Sequence, residues 1–567
     1  MKNWQIQETD ANLQLMAKTL GISEIAANVM ANRNLRSKNT SLNFLRPTLD
    51  RLHDPMLLKG AKEAVARITT AINAKEKTVI YGDYDADGVM STAIMYKLLA
   101  RLGADVSYYI PHRQEEGYGL NKAAIEKLSA QGTRLIIAVD NGISAAAEVR
   151  HAGGLGIDIV MIDHHEEGDA LPPAVAIVDP KQSGCEYPFK ELCAAGLAYK
   201  MAAAICLHMN TPFEEHDELL VFAAIATLCD IVTLTDENRI IVNNGLTVLN
   251  ANKLINPGLG SLITLRGYLE KPIDSFGVGF VLGPCINSSG RLESAELSVE
   301  LLLTQDFTRR MELAHRLQEL NDSRKNLTTE CVERVMENLD PSDKVLVIID
   351  EIAHESVAGI VAGRIRDATG RPTILLTPGE GAMKGSGRSI PGYNLYEALH
   401  ANQGLFTRFG GHEMAAGLTL PPENIPILRE ALNRNCPLTD EAFTPVILVD
   451  RELNPDDVTL KLSDELSMLS PFGKGNDEPT FLSRNLIAEN VRVLDEKNTL
   501  IFTLLSPGGR KIKAIAFGLN EIFHQQLPEA KSQATGGILM DAVYIVETNV
   551  YNGTASVQMR LRDFVIK

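Results

Sequence analysis

Between residues 75 and 260 the chain alternates short, nearly unbroken apolar runs with longer stretches whose apolar residues recur at helical spacing. The runs at 77–82, 106–110, 135–140, 157–162 and 174–179 lack the in-out alternation of a half-exposed strand. They read as strands buried on both faces, and their alternation with helices predicts a parallel sheet. A second α/β unit, from about 343 to 435, opens with Val345-Leu346-Val347-Ile348-Ile349. Between the two, a helical pattern runs from about 294 to 339, with Leu313, Leu317, Leu320, Leu327, Cys331, Val335 and Leu339 near a/d spacing. It predicts one long connector packed on neighbouring domains; the stripe is short for a dimeric coiled coil.

The ends of the chain differ from this middle. Residues 1 to 45 are polar and helical in pattern, with a basic cluster of Arg33, Arg36 and Lys38. They read as an arm packing on the sheet domain or contacting nucleic acid, with packing favoured. A helix is expected at 58–74. Past the linker-like Pro471-Phe472-Gly473-Lys474-Gly475-Asn476 come short β-rich segments at 486–494, 499–505, 511–517, 541–547 and 556–564. Such spacing fits a small barrel, an OB-fold among others.

Composition adds bounds. A chain of 567 residues is too long for one core, and three or more domains are expected. No run approaches the roughly 18 apolar residues of a membrane span. The N-terminus has no apolar core of a signal peptide, and the seven cysteines form no Cys-x-x-Cys pair, so a cytoplasmic protein without a zinc site or disulfide framework is expected. A net charge of −17 argues against nucleic acid unless a basic groove is local.

The chemistry gathers where the apolar runs end. Val79-Ile80-Tyr81-Gly82 leads into Asp83-Tyr84-Asp85-Ala86-Asp87-Gly88; the run 135–140 ends on Asp140; the run 157–162 is followed by Asp163-His164-His165; and Asp230 follows the apolar helical stretch 219–229. Carboxylates at strand ends face the crevice where open α/β sheets bind ligands. One such acid is commonly a helix cap; the same chemistry at three strand ends is hard to explain as capping. Close carboxylates need a cation, and oxygen ligands with imidazole suit Mn²⁺ or Mg²⁺, leaning to Mn²⁺. Several bridging-capable acids suggest two ions clamping an in-line phosphoryl displacement. Weaker signals are the loop 111–119 with Arg113, the small-residue run 284–291, read as a backbone-accessible turn ending in Arg291, the turn-like Lys384-Gly385-Ser386-Gly387-Arg388-Ser389, and Phe409-Gly410-Gly411-His412, where a Gly-rich turn meeting a helix would bind an anion.

These motifs resemble those of the DHH phosphoesterase superfamily. Gly-Gly-His-x-x-Ala-Ala-Gly is similar to its associated domain, and the whole chain resembles the RecJ single-stranded-DNA exonucleases within it. The resemblance implies a parallel-sheet DHH domain at 46–293 after an arm at 1–45, a connector helix at 294–340, a smaller α/β DHH-associated domain at 341–437 and an OB-like domain at 438–567. It implies Asp83, Asp85, Asp87, Asp140, His164 and Asp230 as metal ligands, His165 facing phosphate and Asp163 orienting an imidazole. Arg113, Arg291, Ser386 and Arg388, with His412, would hold the 5′-phosphate of single-stranded DNA, giving 5′→3′ hydrolysis in DNA repair and recombination. Many relatives carry a His where this chain has Tyr81, which implies a weaker second metal or one held through Asp83. A single-strand-binding protein, a helicase and a monomeric state are family expectations that no motif marks. Two other readings stay open: a phosphodiesterase for short oligonucleotides or cyclic dinucleotides, disfavoured by the C-terminal barrel, and a non-catalytic binding scaffold, disfavoured by the intact set of acids.

Overall fold

The computed structural model describes residues 2–113, 115–168, 170–213, 217–340, 342–379, 381–530 and 537–567. Gln114, in the loop 111–119, and Pro341, at the connector boundary, lie outside the described residues. The chain forms two compact units, each discontinuous in sequence.

The first unit comprises residues 55–230 and 248–445. Its parallel sheet runs Val106–Tyr109, Thr78–Tyr81, Leu135–Val139, Asp158–Ile162, Ala176–Val178 in spatial order. Burial on both faces explains the apolar runs of the other four strands, whereas the edge strand Val106–Tyr109 is only partly buried, with Ser107 exposed, contrary to expectation. Val79, Tyr81, Ile136, Ala138, Ile159 and Met161 pack with helices Lys122–Ala130 and Ala146–Gly154. Helices Ala61–Ala74, Ala86–Arg101 and Ala194–His208 cover the other face. Strand order reverses between Thr78–Tyr81 and Leu135–Val139. The carboxyl ends on either side of that reversal form the crevice characteristic of such sheets.

The same unit holds a mixed sheet in the order Arg408–His412, Ala415–Leu420, Met383–Arg388, Thr373–Pro378, Leu346–Ile349, with only the last pair parallel. Both Gly-rich segments differ from expectation. Lys384–Arg388 is strand, not turn: Gly385 and Gly387 lie where a Cβ would strike Leu376, Leu418 and Leu395. The period of two places Ser386 and Arg388 on the opposite face. The Gly410–Gly417 segment is a β-hairpin with no helix following, so His412 ends a strand and is exposed.

Two helical expectations also change. The run 284–291 is not a turn but part of helix Gly283–Leu292, entered through a π-helical turn, Gly277–Leu282. Glycines weaken a helix, yet here they let it approach its neighbours: a Cβ on Gly283 would sit 2.4 Å from Cys229 Sγ and one on Gly290 2.1 Å from the Tyr84 carbonyl. Tertiary packing therefore overrides local propensity. The long connector is broken into Glu296–Leu303 and Phe307–Glu337, where Thr304 turns extended and Asp306 caps the second helix by accepting from Arg309 N. Leu313, Leu317, Leu320, Cys331 and Val335 are buried as their spacing predicts, whereas Leu327 of the same stripe is exposed.

The second unit comprises residues 2–54, 231–247 and 446–567. Strands Phe481–Leu494, Thr499–Leu505, Lys511–Phe517, Thr554–Ile566 and Ile538–Tyr551 pair in that order, and the last pairs back onto the first. This closes a five-stranded barrel with one parallel pair and a helix, Asn520–Ala530, before its fourth strand in sequence, as in an OB-fold. The N-terminal arm, expected to pack on the sheet domain, instead builds part of this second unit. Its strand Asn3–Ile6 runs parallel to Val446–Val449, and Met16, Val29, Met30 and Phe44 complete the core that holds Phe481, Phe502 and Phe564.

Arg239 ties this unit together. Its guanidinium donates to the carbonyls of Phe44 (2.8 Å), Leu469 (3.0 Å) and Ser470 (2.8 Å) and lies over the Phe44 ring. Burial pushes its pKa down to about 9. Arg239→Met strands these carbonyls and is expected to lower stability by about 3–5 kcal/mol. The fluorescence of the single tryptophan, Trp4, whose indole donates to Asp563 of the last barrel strand, reports the urea midpoint. An unchanged midpoint contradicts this role.

Candidate metal centre

The acids are fixed by backbone donors before any ligand is considered. Asp85 caps helix Ala86–Arg101, its Oδ1 accepting from Asp87 N (2.9 Å) and Gly88 N (3.2 Å). The loop wraps so tightly that a Cβ on Gly88 would fall 2.5 Å from the Asp83 carbonyl. Asp87 faces the N-terminus of helix Ala194–His208 and accepts from Ala194 N (2.7 Å) and Ala195 N (2.8 Å), where unpaired amides favour an anion. Asp140 ends its strand in left-handed backbone, φ +64°, which turns its carboxyl into the crevice. Asp163 is fully buried; it accepts from Ile143 N (3.0 Å), His164 N (2.8 Å) and His165 Nδ1 (2.7 Å). It thus organises both histidines.

His164 Nε2 lies 3.2 Å from Asp140 Oδ1, 3.7 Å from Asp87 Oδ2 and 3.8 Å from Asp230 Oδ2. Three donor sets each fit within 4.8 Å: Asp140, His164, His165; Asp87, His164, Asp230; and Asp83, Asp85, Asp140. All the sequence-predicted acids and both histidines are therefore brought together.

The electrostatics ask for a cation. Burial, then neighbouring carboxylates, pushes Asp83 and Asp140 well above the usual carboxyl range. The same causes bring Asp87 to about 6 and Asp230 to about 7. Asp83 Oδ1 is buried with no hydrogen-bond partner among the described residues. Burial holds the His164 imidazole below its usual pKa, leaving a neutral ring with a lone pair to donate. Burial acts against the His165 cation too, but its bond to Asp163 outweighs this and raises it to about 9. Oxygen-rich sets with one neutral imidazole fit Mn²⁺ or Mg²⁺. Tyr81 takes no part: its hydroxyl donates to the Gly119 carbonyl (3.1 Å) and accepts from Asn121 Nδ2 (3.1 Å), on the sheet face away from helix Ala86–Arg101.

A basic cluster borders the Asp-rich loop, as the acidic composition requires of a nucleic-acid site. Arg113 lies over the Tyr84 ring at 4.9 Å. Arg291, on helix Gly283–Leu292, donates to the Ser356 carbonyl (3.0 Å); burial and then the cations of Arg113, Arg324 and Arg388 bring its pKa down to about 10. Arg388 donates to Ser386 Oγ (3.3 Å), and a Cβ on Gly359 would touch both side chains. Among the described residues neither Arg291 nor Arg388 forms a close ion pair, although the Asp85 carboxylate acts on Arg291 from further off. His412 stands on its hairpin, without the turn-to-helix junction expected there.

Three contributors lie beyond the site residues that the sequence predicts. Asn287 Oδ1 accepts from Ala86 N (2.7 Å), clamping helix Gly283–Leu292 to the Asp-rich loop. Tyr118 donates to the Asp140 carbonyl (3.1 Å) and sets its ring edge-on to His165. Arg324 comes from a polar position of the helix Phe307–Glu337. Asn287 and Tyr118 stand inside motifs already notable for Arg291 and Arg113; nothing local marks Arg324.

Comparison with known proteins places this geometry. The DHH family N-terminal domain matches residues 77–228, the DHHA1 domain 342–436 and the RecJ OB domain 449–563. The single-stranded-DNA-specific exonuclease RecJ of Bacillus subtilis is 37% identical, covering 99% of this chain and 71% of its own. That of Escherichia coli is 31% identical, over 88% and 89%. The crystal structure of Thermus thermophilus RecJ with Mn²⁺ superposes with a TM-score of 0.84 at 28% identity, over 99% of this chain and 79% of that one. A Mg²⁺ complex of the same protein gives 0.78.

Proposed function

Because the chain belongs to the RecJ family of single-stranded-DNA-specific exonucleases, we propose that it removes nucleotides from the 5′ end of single strands with two divalent ions. One observation carries this reading: buried, mutually repelling carboxylates around His164 Nε2 lie beside a cluster of arginines, two of which, Arg291 and Arg388, form no close ion pair among the described residues. The acids suit metal, and the arginines suit phosphate.

In this reading Asp83, Asp85, Asp87, Asp140, His164 and Asp230 hold Mn²⁺ or Mg²⁺, both seen in relatives. Such ions supply Lewis acidity and an activated water for in-line displacement at phosphorus. The protein's own groups do the rest. Asp163 fixes His165 as a cation, whose charge neutralises a non-bridging oxygen of the scissile phosphate. Tyr118 closes the crevice over the Asp140 backbone. Arg113, Arg291, Ser386 and Arg388 anchor the terminal phosphate, so that the next phosphodiester meets the acids. The barrel would bind the strand through its face. Among the described residues no helix is long and apolar enough to cross a membrane. A cytoplasmic monomer acting in DNA repair and recombination, with a single-strand-binding protein and a helicase as partners, completes the proposal.

Arg388→Ala tests the terminal-phosphate assignment. Loss of a charge-assisted bond worth roughly 1.5–3 kcal/mol should raise KM for 5′-phosphorylated strands about tenfold to a hundredfold. A purely structural arginine would impair 5′-phosphate and 5′-hydroxyl strands alike. If the variant keeps the wild-type ratio of kcat/KM between the two ends, Arg388 does not read the phosphate.

A further inference from the structure

Phe276 and Phe280 project from the π-helical turn that leads into helix Gly283–Leu292. They are 59% and 67% exposed, and their rings stack with centroids 4.9 Å apart and planes 22° from parallel. At that exposure neither ring serves the core. The turn beneath them is firmly seated. Val278 and Leu282 are buried, Gly277 N donates to Asp274 Oδ1 (2.8 Å), and Gly283 abuts Cys229, the neighbour of Asp230. Turns of this kind concentrate at functional sites.

The helix acts as a ruler across the site. Arg291 stands at its C-terminal end, Asn287 grips the Asp-rich loop in the middle, and Gly283 meets Cys229 at its start. Phe280 follows one turn further out. From Arg291 to Phe280 is about 16 Å at helical rise, the span of roughly five stacked nucleotides. The order along one element is therefore terminal-phosphate group, acids, aromatic pair.

We propose that Phe276 and Phe280 form a stacking platform for the bases of the single strand on the 3′ side of the scissile phosphate. This rests on the 5′-end reading above, which sets the direction of the strand along the helix. Aromatic faces accept any base, which suits an enzyme that must pass every sequence. A stacked pair also offers a flat, pre-ordered surface to the leading base.

The test uses the full chain and 5′-phosphorylated strands in which one abasic residue is walked inward from the 5′ end. Wild type should show a maximum in KM when the abasic position falls roughly three to six nucleotides from the end. Phe276→Ala/Phe280→Ala should raise KM for intact strands about tenfold to a hundredfold and flatten that profile. Phe276→Trp/Phe280→Trp should restore both, which a folding defect would not allow. A double-alanine variant with wild-type KM, or one that keeps the abasic maximum, overturns the proposal. So does a variant altered only in self-association, measured by sedimentation, which would make the pair a contact between copies. If wild type shows no preference for a 5′-phosphate, the terminal-phosphate reading fails by itself, while an abasic maximum at fixed distance from the cleaved bond would still uphold the platform.

Discussion

Asp140→Ala and Asp140→Asn should both lose activity on the order of a thousandfold or more while remaining folded. Asp140 contributes to two of the three donor sets and stands 3.2 Å from His164 Nε2, so its loss disrupts both candidate metal positions. The Asn variant isolates charge from shape, since asparagine tolerates the left-handed backbone of this position. Asp140 is crowded by Asp87, Asp85 and Asp83, so removing its charge relieves repulsion; the metal-free variant should melt no lower than wild type. Mn²⁺ should raise the melting temperature of wild type, because a ligand that binds only the folded state stabilises it, and leave the variants unchanged. A variant that retains either the Mn²⁺-dependent shift or near-normal turnover contradicts the two-ion assignment.

Gly290→Ala, which touches no candidate ligand, should cost about a hundredfold in kcat/KM. Its Cβ would lie 2.1 Å from the Tyr84 carbonyl, a backbone atom that cannot rotate away. Relief requires helix Gly283–Leu292 and the Asp-rich loop to part by about an ångström, a displacement of the scale that costs catalysis about that much. The bond from Ala86 N to Asn287 would be strained with it, and Asp83, Asp85 and Asp87 would shift relative to Asp140 and Asp230. Circular dichroism should show little change, while half-saturation by Mn²⁺ moves to higher concentration. Wild-type turnover and metal dependence in Gly290→Ala would mean that the loop is positioned without this helix.

Much of this was legible in the sequence where burial is two-sided and chemistry follows directly. The run Leu135–Val139 is apolar throughout because both sheet faces are covered, and Asp140 stands out because it ends that run. The parallel sheet, the acids, the His-His pair and the barrel strands follow from such local contrast. What was not legible depends on partners distant in sequence. Residues 283–291 carry glycine, serine and asparagine typical of turns, yet they form a helix whose glycines are required by the close approach of Cys229 to Gly283 and of Tyr84 to Gly290. Lys384–Arg388 alternates glycine with polar residues; glycine is common in turns, but the period of two is that of the strand it forms. The arm's destination was hidden because Met16 and Phe44 find their core in residues several hundred positions away.

That last contact changes how the barrel must be tested. Cutting the chain near residue 440 would strip Met16, Val29, Met30 and Phe44 of their packing, so loss of activity would not separate binding from folding. Metal-dependent hydrolysis from the 5′ end is best measured on the intact chain. Single strands labelled at the 5′ or the 3′ end, with duplex controls, are digested in Mn²⁺, Mg²⁺ or EDTA. Release of 5′-terminal mononucleotides at the earliest times, with the 3′ label retained on progressively shorter strands, no action on duplex and none in EDTA is the predicted result. Early loss of the 3′ label, or digestion that persists in EDTA, would contradict it.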